Sequence, residues 1–299
     1  MKYDLITILG CTATGKTKLA AQLADYFIGE IISADSRQVY RGMNIGTGKD
    51  LSEYNINGKS IPYYLIDVID PQEEFNLYTF QQLFYQSYNS IKKNNHLPFL
   101  VGGTGLYLSS VLQNYNLSKA DFENQSDKIT SFSDDELKVM LKNFNTELHN
   151  TTDLANRNRI IKAIVVSNAM LNQQPQQELK SFTIGVNLSR DEIKKRITAR
   201  LKKRLDEEGM IEEVKYLMDS GVSYDKMIFF GLEYKFIAQY LKGELNKNDM
   251  FQKLNSAIHS FAKRQMTWLR KMEKEGVKIN WIDGADFNNA KELIEKEFY

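Results

Sequence analysis

Leu5-Ile6-Thr7-Ile8-Leu9 followed by Gly10-Cys11-Thr12-Ala13-Thr14-Gly15-Lys16-Thr17 decides the fold. The first five residues are apolar and rich in β-branched side chains, and they stop at a glycine, which is the pattern of a buried strand. From Lys16 onward Leu19, Ala20, Leu23, Ala24 and Phe27 recur at three- and four-residue steps, predicting a helix with one buried face. Between strand and helix the Gly-x-x-x-x-Gly-Lys-Thr spacing is that of a P-loop. Its glycines let the backbone wrap phosphate oxygens, and the helix N-terminus supplies oriented amides and a favourable dipole. Lys16 adds a point charge, and Thr17 can ligand magnesium. Gly10, Thr12, Ala13, Thr14, Gly15, Lys16 and Thr17 are therefore expected to cradle a polyphosphate. The cradle alone does not say which phosphate is bound or what is transferred.

Working outward, strands are expected at Glu30 to Ala34, Tyr64 to Ile69, Leu97 to Val101, Phe182 to Asn187 and Lys278 to Ile282, several of them separated by helix-length stretches. That alternation predicts an α/β fold, a P-loop NTPase-like parallel sheet with helices on both faces. Between Asp70 and Pro98, Phe80, Phe84, Tyr88 and Ile91 share one helical stripe that ends in the polar Lys92 to His96. Residues 116–181 turn polar and Asn/Gln/Ser-rich, with helical stretches at Asp134 to Phe144 and Asn158 to Ser167 and a loop at Asn172 to Gln177. They read as a helical subdomain inserted into a core made of 1–115 and 182–299. Three long helical patterns follow. In the first, Ile193, Ile197, Leu201 and Leu205 face inward while Lys194, Lys195, Arg196, Lys202, Lys203 and Arg204 form what is usually a solvated face. In the last, Ile258, Phe261, Ala262, Met266 and Leu269 make the buried stripe and Lys263, Arg264, Arg270, Lys271 and Lys274 lie on other faces.

With 42% hydrophobic and 26% charged residues over 299 positions, the chain has the balance of a soluble globular protein, and disorder and collagen are excluded. No window approaches eighteen uninterrupted apolar residues, and Met1-Lys2-Tyr3-Asp4 lacks a basic signal-peptide start, so a cytoplasmic protein with no membrane partner is expected. One cysteine, Cys11, forms neither an internal disulfide nor a cysteine zinc cluster, and His96, His149 and His259 have no metal-ligand spacing. Basic and acidic residues number 39 and 38, so a polyanion would have to be met by a local basic face.

Two further segments follow strands. Ser33-Ala34-Asp35-Ser36-Arg37-Gln38-Val39-Tyr40-Arg41-Gly42-Met43-Asn44-Ile45-Gly46-Thr47-Gly48-Lys49 puts Asp35 at a strand end, where a doubly wound sheet aims it at the P-loop. Taken alone, an Asp-Ser pair there reads as a helix cap or as a base. Val101-Gly102-Gly103-Thr104-Gly105-Leu106-Tyr107-Leu108 again opens a helix after a strand, reading as tight helix packing or as ligand contact.

These segments, with Ile66-Asp67-Val68-Ile69-Asp70-Pro71 and Lys263-Arg264-Gln265-Met266-Thr267-Trp268-Leu269-Arg270, resemble the tRNA dimethylallyltransferase (tRNA isopentenyltransferase) family in order and spacing over nearly the whole chain. The resemblance implies transfer of a dimethylallyl group from dimethylallyl diphosphate to the exocyclic amine of the adenosine immediately 3′ of the anticodon in tRNA, with no phosphoryl transfer. It implies that the P-loop clamps the donor's diphosphate with Mg2+ on Thr17, and that Asp35 takes the proton of the attacking amine. It implies that Lys16 and Lys235, the latter within Gly231-Leu232-Glu233-Tyr234-Lys235, stabilise the leaving group. It further implies that Asp35, Ser36, Arg37, Gln38 and Thr104 line the acceptor side, that Asn158, Arg159 and Lys162 touch the anticodon stem-loop, and that Lys263, Arg264, Gln265 and Arg270 belong to the tRNA-binding region. A monomer is expected. The chemistry is consistent: a delocalised amine is a poor nucleophile that a carboxylate assists, and a loop adenosine is cheaper to flip than one in a duplex.

The chain departs from the family pattern at Tyr63-Tyr64, where two histidines are common, at Cys11 for a frequent proline, and at Glu233, where glycine is common. The insertion lacks the usual proline-rich opening. Three other readings compete. Adenylate isopentenyltransferase would prenylate free AMP, ADP or ATP. A P-loop kinase would use Arg157 and Arg159 as lid arginines, and an RNA-binding paralogue would keep the fold without turnover.

Overall fold

A computed structural model describes residues 2–117, 129–144, 157–170 and 178–298. The expected first strand forms β1 (Leu5–Leu9), and the P-loop leads into α1 (Lys16–Tyr26). Then come β2 (Gly29–Ala34), a short hairpin of β3 (Asn55–Ile56) and β4 (Lys59–Ser60), β5 (Tyr63–Tyr64), α2 (Leu77–Lys93), β6 (Leu97–Gly102) and α3 (Gly105–Leu112). After the insertion, with its helices α4 (Asp134–Phe144) and α5 (Arg157–Met170), the core resumes with β7 (Ser181–Asn187). Helices α6 (Arg190–Asp206), α7 (Met210–Asp219), α8 (Tyr224–Phe230), α9 (Leu232–Leu241) and α10 (Lys247–Lys274) follow, and β8 (Ile279–Asp283) and α11 (Phe287–Phe298) end the described chain.

Six strands form one parallel sheet in the order β5-β2-β6-β1-β7-β8. β1 lies between β6 and β7, with Ile6 opposite both Phe99 and Phe182. Alternation along β1 separates two cores. Ile6 and Ile8 pack with Leu19 and Leu23 of α1 and Ile294 of α11. Leu5 and Leu9 pack with Phe80 and Phe84 of α2, Leu108 of α3 and Leu269 of α10. Helices therefore cover both faces, as an all-parallel sheet requires. A third core gathers α6 to α10 round Val39, Tyr40 and Met43, and includes Cys11 of the P-loop. This core brings helices from the second half of the chain to the phosphate end of the sheet.

Two expectations are corrected. The strand over Tyr64 to Ile69 ends at Tyr64, because Leu65 and Asp67 take positive φ of 61° and 56°. The segment turns away to the 38–41 loop instead, where the Asp67 and Val68 amides donate to the Gln38 and Val39 carbonyls and Asp67 accepts from Lys49 Nζ at 2.5 Å. Where three long helical patterns were expected, six helices follow residue 190. Gly209 (φ 79°) and Gly231 (φ 74°) sit at breaks between them, in backbone that side chains rarely adopt.

The chain divides into two compact units, Met1–Gln113 with Leu179–Tyr299, and Asn114–Glu178. Within the second, Ile129, Leu137, Leu141, Ile160, Ile164 and Val165 make a small core between α4 and α5. A capping box starts α4, with the Ser133 amide donating to Glu136 at 2.8 Å and the Glu136 amide to Ser133 Oγ at 3.4 Å. Arg157 is paired with Asp134 and donates to the carbonyls of Thr130 and Phe132, so it staples this unit together and is not free to act as a lid arginine. The loop expected at Asn172 to Gln177 lies outside the described residues. No helix among the described residues is long and apolar enough to cross a membrane.

At the far end of β2 the buried Glu30 accepts from Tyr64 Oη and sits against His96 Nδ1, each at 2.5 Å, so Tyr64 has a structural task at one of the departures. Burial works against this carboxylate, but the hydrogen bonds from Tyr64, His96 and Asn94 outweigh it and hold its pKa below the usual range. A depressed carboxylate stabilises the fold above its unfolded pKa, about 4.3. That contribution is lost as pH falls through the lower folded value. Tyr64→Phe is expected to cost about 1.5 to 3 kcal/mol at neutral pH, the worth of a hydrogen bond to a charged group. Urea unfolding of the two proteins at pH 7 and below pH 4 checks this: the difference should shrink in acid, and a pH-independent gap would remove Glu30 from the explanation.

Candidate active site

The carboxyl ends of β1, β2 and β6 open into one cavity of about 860 Å³. It lies where the strand order reverses, the usual ligand crevice of an open parallel sheet. The P-loop contributes Thr12, Ala13, Gly15, Lys16 and Thr17 to its wall. Its turn is built by Ala13 (φ 65°) and Gly15 (φ 86°) and pinned from behind by the Thr14 hydroxyl, which donates to the Cys11 carbonyl at 3.0 Å. Gly10 and Thr14 are buried in this framework and do not line the cavity. Lys16 Nζ donates to the Cys11 carbonyl at 3.3 Å and makes no ion pair among the described residues. Burial pulls its pKa down, with Asp35 acting in the opposite direction. A desolvated ammonium held only by a carbonyl is a site prepared for an anion.

A second cation stands opposite. Arg200 of α6 is half-buried and donates to Thr12 Oγ1 at 2.5 Å. Burial and the neighbouring Arg204 push its pKa down to about 10, against the pull of Asp50, Glu233 and Glu53, so it stays charged at neutral pH. Sequence reading passed over Arg200 among the lysines of an expected solvated face. The signal was its four-residue spacing with Arg196 and Arg204, which aligns all three on one helix stripe. Arg204 is itself held by both oxygens of Asp50, at 3.0 and 3.1 Å. Gly48 must be glycine under it: its φ is +65°, and a Cβ there would meet the guanidinium at 2.6 Å.

After β2 and β6, Asp35, Ser36, Arg37, Gln38 and Thr104 line the cavity. Asp35 Oδ1 accepts from the Arg37 amide at 2.9 Å, and Thr104 Oγ1 accepts from the Ser36 amide at 3.1 Å. The Asp-Ser pair thus forms a local turn cap and also presents its carboxyl to the P-loop side. Lys235 lines the same cavity with its ammonium 5.5 Å from the Phe236 ring, and Arg264 lines it beside Phe261. Glu233 adds a carboxyl that burial pushes up and Arg204 and Arg200 pull down.

Gln38 and Gln265 line the same cavity, and each is held there by internal hydrogen bonds. Gln38 accepts from Ser33 Oγ at 3.0 Å and donates to the Gly48 carbonyl at 3.0 Å. Gln265 accepts from the Thr12 amide at 2.8 Å and donates to the Gly103 carbonyl at 2.9 Å, tying α10 to the P-loop and to the turn after β6. Each side chain thus has both its oxygen and its nitrogen partnered, as buried amides generally do. Lys263 and Arg270 are exposed on α10 outside the cavity wall. Asn158 is an exposed residue of α5 in the second unit; Arg159 and Lys162 lie on the same helix, with side chains outside the described residues.

Sequence reading also missed Glu213. Its carboxylate accepts from the Asn44, Ile45 and Gly46 amides at 2.9, 2.7 and 3.0 Å and from Tyr234 Oη at 2.8 Å. One side chain therefore clamps the 44–50 loop, which carries Asp50, to the helix that carries Glu233 and Lys235. Glu213→Gln puts an NH2 among these donors and is expected to lower kcat/KM by about tenfold, the cost of two misdirected hydrogen bonds. Steady-state kinetics beside a melting curve checks it, since an unchanged kcat/KM with a lower Tm would leave Glu213 purely structural.

A family model described as IPP transferase matches residues 38–272. The chain belongs to the IPP transferase family. It is 51% identical over 290 residues to tRNA dimethylallyltransferase 1 of Geotalea daltonii, covering 95% of this chain and 92% of the relative. It is 49% identical over 302 residues to the enzyme of the same name from Geotalea uraniireducens, covering 98% of each. Among solved structures, the full-length tRNA isopentenylpyrophosphate transferase of Bacillus halodurans superposes with a TM-score of 0.70 at 33% identity, over 99% of this chain and 96% of that one. This IPP transferase family member thus carries the P-loop α/β fold expected from its first seventeen residues.

Proposed function

We propose that this chain transfers a dimethylallyl group from dimethylallyl diphosphate to the exocyclic amine of the adenosine 3′-adjacent to the anticodon in tRNA, releasing diphosphate. The observation that carries this is the meeting of Lys16, Arg200 and Asp35 in one cavity: two half-buried cations suited to a diphosphate and one carboxyl suited to a proton. The amine nitrogen forms a bond to the first carbon of the donor as the carbon–oxygen bond to diphosphate breaks, and its electron pair leaves on the diphosphate. The amine proton passes to Asp35. Lys16, Arg200 and Lys235 offset the charge that grows on the leaving group, where fixed cations in a water-poor site act most strongly.

Magnesium fits the residues present. Among the described residues no group of three or more acidic, histidine or cysteine side chains could hold a metal alone. Thr17 lines the cavity beside Lys16, and a small hard cation is commonly held by one or two protein oxygens together with substrate phosphates. Thr17 would hold it with the donor's diphosphate, where it supplies further neutralisation of the leaving group. Asn158, Arg159, Lys162, Lys263, Arg264 and Arg270 suit the phosphates of the anticodon stem-loop, which makes binding salt-dependent. The protein would act as a monomer in the cytoplasm, where its substrate tRNA resides.

The test incubates the protein with magnesium and labelled dimethylallyl diphosphate alongside unmodified tRNA, AMP or no acceptor, followed by nucleoside mass spectrometry. Prenylated adenosine in the tRNA reaction alone is the expected result. Product with AMP would move the chain to free-nucleotide prenylation, and no product with either would leave the fold without this activity.

A further inference from the structure

Phe229 is an exposed aromatic at the rim of a site whose other large apolar residues are mostly tucked inward: 60% of its surface faces solvent, and it lines the same cavity as Asp35. Its backbone is anchored by its neighbours. Phe230, the next residue and the last of α8, is buried, with its ring 4.9 Å from Tyr40 and 5.9 Å from Tyr234. The Arg37 guanidinium lies 5.3 Å from the Phe229 ring centre and donates to the Phe229 carbonyl at 3.2 Å. The Arg37 amide donates to Asp35 Oδ1, so the residue that takes the proton and the exposed ring are joined through one arginine. Lys226 brings a second ammonium to 5.4 Å from the same ring, fixed by a 2.8 Å bond to the Glu73 carbonyl. Neither Arg37 nor Lys226 makes an ion pair among the described residues.

The exposed ring has apolar surface to cover, and the two half-exposed cations beside it favour a neighbouring anion. A nucleotide supplies both needs, a flat apolar face and a phosphate. Drawing the target adenosine out of its loop also unstacks its neighbours, and each then lacks a stacking partner. We propose that Phe229, with Arg37 and Lys226 at its edge, is a stacking shelf for the RNA base adjacent to the target adenosine. The proposal rests on the tRNA reading above, and it goes beyond it by assigning a subsite for a second nucleotide.

The experiment is a double-mutant cycle on the full chain. Wild type, Phe229→Ala and Phe229→Trp are assayed for prenylation of an anticodon-loop RNA hairpin, and of the same hairpin with an abasic residue immediately 5′ or 3′ of the target. Phe229→Ala is expected to raise KM for the intact hairpin by about tenfold to a hundredfold, the usual loss on removing a stacked base's aromatic partner, with kcat within a few-fold. Phe229→Trp restores it. One of the two abasic hairpins should cost the wild type a similar factor and cost Phe229→Ala nothing more. Inhibition by inorganic diphosphate should match in all three proteins, showing an intact P-loop. An unchanged KM in Phe229→Ala overturns the shelf, as does a loss that multiplies independently with both abasic substitutions. If the wild type prenylates no RNA, the tRNA reading itself falls and takes the shelf with it.

Discussion

Asp35→Asn is expected to lower kcat by about a thousandfold while KM for tRNA and inhibition by diphosphate stay within a few-fold. A positioned general base contributes about 10² to 10⁴ in rate. The substitution isolates that contribution because asparagine keeps the oxygen that accepts from the Arg37 amide at 2.9 Å, so the turn after β2 survives. Thr104 still holds the Ser36 amide, and the P-loop cations are untouched. What is lost is the capacity to take the amine's proton as the new bond forms. Single-turnover kinetics on prenylated product, with the donor saturating, measures this step alone. A rate near that of the wild type would falsify the assignment of Asp35 as the proton acceptor.

Arg200→Met should be nearly as damaging, by a different route. The half-buried guanidinium donates to Thr12 and is kept protonated at neutral pH although partial burial brings its pKa down to about 10. It lines the same cavity as Lys16. Removing one preorganised donor from a developing anion typically costs about 10² to 10³ in rate. The same change is expected to weaken inhibition by inorganic diphosphate, because the cation meets ground state and leaving group alike. Methionine fills the volume and relieves repulsion with Arg204, so the Tm should hold. Arg200→Lys is expected to rescue poorly, since a lysine cannot serve Thr12 and a phosphate in the same fork. Undiminished inhibition by diphosphate in Arg200→Met would assign the anion site to Lys16 alone.

The contrast between Asp35 and Arg200 shows where sequence reading reaches. Asp35 sits one residue after a strand whose end points at the P-loop, and Thr104 opens a helix after another such strand. Both are placed by local pattern together with the rules of parallel sheets. Arg200 lies 188 residues from Thr12, and Gln265 lies 253 residues away from it. Local spacing puts Arg200 on a stripe with Arg196 and Arg204, and Gln265 on the buried stripe of Ile258, Ala262 and Leu269, but nothing local says that either side chain reaches Thr12. The same limit explains the failed strand at Tyr64 to Ile69. Its apolar run does fit a strand, but the Asp67 contact with Lys49 and the amide bonds to Val39 hold it elsewhere.

Local periodicity and spacing settle the elements that satisfy their own backbone or present one buried face. They suffice for the P-loop, α1, the central strands and the α/β class, because the interactions involved span a few residues or repeat with a fixed period. The stretch at 190–206 shows how far that reaches: its helix and its inward leucines and isoleucines follow from period alone. Which of its cations leaves solvent is set by the third core, where α6 to α10 close over Val39, Tyr40 and Met43, burying Arg204 and leaving Arg200 half-buried. Charges change their meaning with desolvation, and desolvation depends on which distant elements pack together.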